Sequence, residues 1–291
     1  MTTDVVLTGT GIPTVSPERA GPGVLVRCGD ASLQFDAGRA TTMRLAAAGV
    51  ACGDLTALFI THHHSDHMVG LPDVLMSRWI LPHDRRDEPL TIIVPDGEGA
   101  RIAGHMLDVW RNELQTRAEH VGRTLLPVTD VVAFAATAEP QVVWESDTIR
   151  VLSCLVHHEP LVPAVAYRIE TPDGVVAISG DTRPCEEMER LAAGADVLVH
   201  EAMRSTLSRG AAAAPSRPSD ASIIHYHADT IEVARLAQRA GVRTLVLTHL
   251  IPAPTTDRHR DGYVADARAG GFEGDVVVGY DLYRHSFGQE K

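Results

Sequence analysis

Residues 55–75 read LTALFITHHHSDHMVGLPDVL. An apolar, β-rich run (55–61) enters directly into four histidines and an aspartate, and a helix-like segment, LPDVLMSRWIL (71–81), follows. Packing does not explain this junction. Histidine and aspartate are rarely buried without partners, and an apolar core cannot supply partners for five of them together. His62, His64, Asp66 and His67 stand at i, i+2, i+4 and i+5. On an extended strand end His62 and His64 project to the same side and can share one metal ion. Asp66 and His67 then turn into a helix start and can reach a second ion. His63 and Ser65 alternate outward and read as non-ligands. Imidazole and carboxylate donors suit zinc, and iron or manganese also fit.

Working outward, strands dominate and helices flank them. VVLTGTG, GVLVRCG and ASLQFDAG read as short strands with Gly-centred turns, and residues 41–49 as a short helix ending at Gly49. LTIIVP (90–95) reads as a strand and residues 97–119 as one long amphipathic helix. In the second half VVW, TIRVLSCLV, AVAYRIET, GVVAISGD, DVLVHEA and VRTLVLTHL are strands, while CEEMERLAAG, capped by Gly194, and TIEVARLAQRAG are helices. This order predicts an α/β (α+β) fold, a four-layer αββα sandwich. It is read as a single domain over residues 1–291, in two βα halves of approximately 1–140 and 141–291. Two loops are expected to contact substrate: the Ala/Ser/Pro-rich residues 204–222 and the polar, Gly-rich residues 252–275.

Composition narrows the classes. With 44% hydrophobic and 22% charged residues among 291, the chain is ordinary globular protein. It has no apolar run of the ~18 residues that a membrane span needs. Its start is already strand-like (DVVLTGTG, 4–11), without a signal peptide's basic and apolar regions, so a cytoplasmic location is expected. Cys28, Cys52, Cys154 and Cys185 lie far apart without CxxC spacing and read as free thiols. A formal net charge of −12 argues mildly against a polyanionic partner.

THHHSDHMVGLPDVL (61–75) resembles the HxHxDH signature of the metallo-β-lactamase superfamily. The GLPDVL stretch, together with LTGTGIP (7–13), ERAGPGVLV (18–26) and LQFDAG (33–38), resembles its ribonuclease Z and arylsulfatase-like branch. The resemblance runs from Val5 to about Pro252 and implies three further ligands. VLSCLVHHEP (151–160) offers His157 and His158, of which strand alternation lets only one face the metal. The family's V-x-H-x-P pattern points to His158, with His157 the alternative. Asp181 in SGDT matches the family's bridging aspartate, and His249 in TLVLTHLIP its final histidine. The implied cage has His62, His64 and His158 on one ion, Asp66, His67 and His249 on the other, and Asp181 between them. The expected cofactors are two divalent ions per chain, zinc first, with manganese or iron as alternatives.

Such a pair lowers the pKa of a bridging water and yields a hydroxide nucleophile, which Asp66 would orient. DVLVHEAM (196–203) resembles the HEAT motif of ribonuclease Z, with Met203 in place of threonine. His227, in YHADT, lies 22 residues before His249 and matches the family's catalytic histidine. It is the expected general acid, oriented by Glu201. His225 competes for that role, and His200 reads as a structural neighbour. Trp79, Trp110, Tyr226 and Tyr263 could line a pocket, although each also reads as core.

The long basic arm with which ribonuclease Z grips tRNA is not visible. Arg101, Arg111, Arg117 and Arg123 are interleaved with acids, as on a solvated face. The arylsulfatase-like members resemble residues 19–123 more closely. The expected substrate is therefore a small-molecule ester, a phosphodiester or sulfate ester first and a lactone or other carboxylic ester next, with nucleic acid disfavoured. The alternatives are a tRNA 3′-processing endoribonuclease and a non-catalytic metal-binding protein. A homodimer is carried over from the family.

Overall fold

The computed structural model describes residues 2–81, 88–204 and 226–288. In its first strand, β1 (Thr3–Gly9), Val5 and Leu7 join one apolar cluster and Val6 another, and all three are buried. Successive strand side chains leave on opposite faces. A strand buried on both faces therefore lies inside a layered structure, covered on each side.

The covers follow from the topology. Among the described residues one sheet has the order β14-β1-β2-β3-β4-β5-β6. It comprises β2 (Gly23–Cys28), β3 (Ala31–Phe35), β4 (Ala57–Phe59), β5 (Leu90–Pro95), β6 (Thr129–Phe134) and, returning from the far end of the chain, β14 (Arg284–Phe287). The other has the order β13-β12-β11-β10-β9-β8-β7. Its strands are β7 (Gln141–Glu145), β8 (Arg150–Val156), β9 (Ala164–Thr171), β10 (Gly174–Ile178), β11 (Val197–Met203), β12 (Thr244–Ile251) and β13 (Asp275–Val278). Phe35, Phe59 and Val26 from the first sheet meet Tyr167, Val199 and Val246 from the second in one cluster between the sheets. The first sheet's outer face packs under helices α1 (Thr41–Ala47), α2 (Ser65–Met68), α3 (Leu71–Ile80) and α4 (Glu98–His105) through Leu45, Met68, Val74 and Ala103. Helix α5 (Arg111–His120) packs Leu114 and Ala118 against Trp79. The second sheet's outer face packs under α6 (Glu186–Leu191), α7 (Thr230–Arg239) and α8 (Asp257–Ala269) through Leu191, Val233, Leu236 and Tyr263. The result is the four-layer αββα sandwich. No helix among the described residues is long and apolar enough to cross a membrane.

Two segments differ from expectation. Residues 97–119 form two helices, α4 and α5, separated by a 3-10 turn at Asp108–Trp110. The Asp108 carboxylate accepts from the His105 and Arg111 side chains on either side of this turn. The two pieces also serve different packing partners, α4 the sheet and α5 Trp79. Residues 252–275, expected as a loop, contain the thirteen-residue helix α8. Thr256 caps it by accepting the His259 N–H, and Tyr263 and Ala267, one turn apart, are its buried stripe. Polar composition and Gly262 mask that two-residue stripe in the sequence. The other expected loop, 204–222, lies outside the described residues from 205 onward.

Candidate metal centre

Strand β4 ends at Phe59, and the chain carries on through Ile60 and Thr61 to His62. Two contacts pin this end to the second sheet: Tyr167 Oη–H donates to the Ile60 carbonyl at 2.7 Å and Val165 N–H to the Thr61 carbonyl at 3.0 Å. Gly180 (φ 60°) lies against Thr61, where a β-carbon would meet the threonine Cβ at 2.8 Å. Only glycine permits both that backbone and that approach. In the second sheet β10, β11 and β12 run parallel, with Ile178 level with Val199 and Glu201 level with Thr248. Parallel pairing therefore delivers Asp181, Glu201 and His249 to one end of the sheet. His249 is the extra residue at a register shift between β11 and β12, and its φ of 45° is left-handed. A bulge of this kind re-aims a side chain.

The seven candidate ligands meet there. Nε2 of His62 and Nε2 of His158 lie 3.0 and 3.1 Å from Nδ1 of His64. The Asp181 Oδ2 is 4.0 Å from His62 Nε2 and 3.8 Å from His158 Nε2. The same carboxylate reaches the other group, with Oδ1 3.4 Å from His67 Nε2 and Oδ2 3.5 Å from His249 Nε2. Asp66 Oδ2 is 3.5 Å from His249 Nε2 and 3.7 Å from His67 Nε2. Asp181 thus stands between two donor sets.

The outward nitrogens explain why the inward ones are free. Thr61 Oγ1–H donates to Asp36 Oδ2, so that hydroxyl accepts from His62 Nδ1–H at 3.0 Å. His67 Nδ1–H donates to Asp36 at 2.8 Å and His158 Nδ1–H to the Tyr226 carbonyl at 3.1 Å. Each of these rings turns its Nε2 inward. His62 and His158 Nε2 then present two lone pairs to His64 Nδ1, which can donate to only one. Asp66 Oδ2, His67 Nε2, Asp181 Oδ1 and both His249 ring nitrogens are buried without any hydrogen-bond partner. Buried polar atoms without partners are costly. Divalent cations at the two foci satisfy every one of these donors but His249 Nδ1, so the residues fit a divalent metal site.

Charge follows the same geometry. Burial, with His67 beside it, holds His62 neutral, well below the usual imidazole range. Burial and His158 press His64 down to about 4. Burial opposes charge on His67 too, but the Asp181 and Asp36 carboxylates outweigh it and raise that ring well above its ordinary value. Burial likewise opposes the Asp181 carboxylate, yet His249 and His67 keep it ionised far below the ordinary range.

Asp36, quoted above only as part of LQFDAG, is a functional residue that reasoning from pattern missed. It anchors both Thr61 and His67. The available signal was an aspartate followed by Ala-Gly at a strand end. Of the two adjacent histidines, His158 enters the centre, while His157 turns away toward Glu159 and Glu187. Glu201 is fully buried, accepting Thr182 N–H at 2.7 Å with one oxygen and His227 Nδ1–H at 2.7 Å with the other. The His227 ring is 5.3 Å from that of His158 and 5.4 Å from that of His249. His225 lies outside the described residues. His200 is buried, its Nδ1–H donating to the Glu201 carbonyl at 2.7 Å. Of the four aromatics only Tyr226 reaches the centre, 5.2 Å from the His158 ring. Trp79 and Tyr263 are core, and Trp110 is 47% exposed.

Fold and site together define a metal-dependent hydrolase of ester bonds with the metallo-β-lactamase fold. The profile of a family described as Anti-Pycsar protein Apyc1 matches residues 3–214. A ribonuclease Z from Mycobacterium bovis BCG is 36% identical over 97% of both chains. The metallo-β-lactamase fold protein YhfI of Bacillus subtilis aligns with a TM-score of 0.69 at 20% identity, covering 97% of this chain and 99% of YhfI. The short form of human tRNase Z aligns with a TM-score of 0.67 at 21% identity, covering 97% and 98%. These two structures speak for the fold alone. The chain belongs to the metallo-β-lactamase superfamily, on its ribonuclease Z branch, and to the Apyc1 family.

Full-length kinship to ribonuclease Z overturns the expectation of a small-molecule phosphodiester or sulfate ester with nucleic acid disfavoured. The physical error lay in weighing the whole-chain charge of −12, a sum that includes the cage carboxylates. Phosphate is gripped by a local field, which a whole-chain sum does not report.

Proposed function

We propose that this protein is a tRNA 3′-processing endoribonuclease of the ribonuclease Z type, working with two zinc ions. The observation carrying this is the 36% identity to ribonuclease Z over 97% of both chains. The Glu201–His227 pair beside the seven-residue cage supports it. His62, His64 and His158 would hold one ion, Asp66, His67 and His249 the other, and Asp181 both. Bound there, the ions supply Lewis acidity toward the scissile phosphate and activation of water.

The chain's own groups complete the chemistry. Asp66, its Oδ2 aimed inward between His67 and His249, orients the attacking water. Burial works against a charged His227, but Glu201 outweighs it and lifts the imidazolium to about 9. His227 is therefore protonated at neutral pH and can give its proton to the departing ribose oxygen. Its Nδ1 is committed to Glu201, which leaves Nε2 to carry the proton that is given up. Residues 1–291 act as one domain, as a homodimer and in the cytoplasm.

The test is a gel assay of zinc- or manganese-loaded protein on a precursor tRNA with a 3′ extension. Release of the extension, slowed roughly 10²–10⁴-fold by His227→Ala, is expected. Intact precursor at micromolar enzyme overturns the proposal. A second reading, an anti-Pycsar role, rests on the family profile over residues 3–214 and would then take precedence.

A further inference from the structure

Outside the cage, one other group of metal-ligating side chains comes together among the described residues: His157, Cys185 and Glu187, whose donor atoms all lie within 4.8 Å of one another. They come from two segments. His157 follows β8, while Cys185 and Glu187 stand at the start of α6. Backbone bonds hold the segments side by side. Arg183 N–H donates to the His157 carbonyl at 3.1 Å and His157 N–H to Thr182 Oγ1 at 3.0 Å.

The orientation of His157 is the informative feature. Its Nδ1 lies 3.2 Å from Glu159 Oε1, and its Nε2 points the opposite way, 3.4 Å from Glu187 Oε2. A carboxylate behind one ring nitrogen and donors before the other is how metal-binding histidines are held. Arg183 Nη2 sits 3.2 Å from Glu159 Oε2, on the far side of that carboxylate from the ring. Thiolate, imidazole and carboxylate together are a zinc-type donor set, with donor-to-donor edges of roughly 3.3–3.8 Å around a tetrahedral ion. One thiolate and one carboxylate also balance a divalent charge. The His157 side chain is 40% exposed and Glu187 22%, so an ion can enter from solvent.

We propose that His157, Cys185 and Glu187 form a peripheral binding site for a zinc-type divalent cation, distinct from the cage. Three protein donors leave a fourth position for water. Binding forms a metal–sulfur bond and releases the Cys185 thiol proton to solvent. An ion there ties the start of α6 to the strand end that carries His158, through the segment that also carries Asp181.

The cage contains no sulfur, so cobalt reports the two sites separately. The full chain, stripped of metal, is titrated with Co²⁺ while the near-ultraviolet thiolate-to-cobalt charge-transfer band is recorded. The band is expected in the wild type and in Cys154→Ser, the buried cysteine whose Sγ lies 3.7 Å from the Glu187 carbonyl. It is expected to vanish in Cys185→Ser. Glu187→Gln keeps the thiol and should weaken the titration, so the result does not hang on one variant. Glu159→Gln should shift the midpoint roughly 10–100-fold, as loss of a carboxylate behind a ligating histidine does. No band at excess cobalt, or a band surviving Cys185→Ser, overturns the site. Neither result bears on the cage.

Discussion

The two halves of the cage are built differently. Residues 62–67 deliver His62, His64, Asp66 and His67 from one loop at one strand end. His158, Asp181 and His249 come one at a time from the ends of β8, β10 and β12. The loop residues are placed by local geometry, strand alternation followed by a helix start. The others are placed by sheet pairing, by Gly180 against Thr61 and by a bulge that turns His249 inward. A contiguous ligand set can be recognised before the fold is known. A dispersed one becomes a set only after folding, and its members touch both donor groups through Asp181.

The sharpest way to break this contrast is Asp181→Ala. If the dispersed half is indispensable, metal analysis should show both ions lost and precursor cleavage should fall to background. Two ions retained would mean the loop alone holds the pair. His227→Ala comes next: a drop of roughly 10²–10⁴-fold in kcat with metal content intact. Loss of metal in this variant would make His227 a ligand. Asp36→Ala probes what supports the loop half, since it frees His67 Nδ1 and Thr61. Competition with a chelating dye should show metal affinity weakened roughly 10–100-fold, and an unchanged affinity would leave loop geometry sufficient by itself.

The smallest effect concerns the Glu201–His227 pair. The folded His227 pKa is raised above its unfolded value of 6.5 to about 9. Stability from the pair is therefore fully present below about pH 6.5 and is lost as the pH rises through about 9. In chelator-treated protein the Tm of the wild type should exceed that of Glu201→Gln most near pH 6. The gap, a few degrees if ~1 kcal/mol is worth roughly 2 °C in a chain this long, should close above pH 9. A gap constant from pH 6 to 10 would assign Glu201 a purely structural role through Thr182 N–H.

The same contrast explains what could be read early. Strands β5 and β9 match expectation residue for residue, because apolar runs bounded by turn residues leave few alternatives. Helix α8 escaped notice because it buries only Tyr263 and Ala267, too thin a stripe to stand out from a polar segment. Asp36 escaped because a lone aspartate at a strand end has no partner until β4 lies beside β3 and brings Thr61 to it.

By itself the sequence determined the αββα architecture and the candidate ligands at 62–67, and family resemblance pointed to the distant candidates His158, Asp181 and His249. Those depend on short-range quantities: hydrophobic period, turn residues and side-chain alternation. Tertiary structure alone decided that His157, turned from the centre, meets Cys185 and Glu187. It also decided that Asp36 aims His67 and that Thr182 N–H fixes Glu201. These are contacts between residues 19 to 31 positions apart or more, where no local rule operates and only the pairing of strands brings the groups within bonding distance.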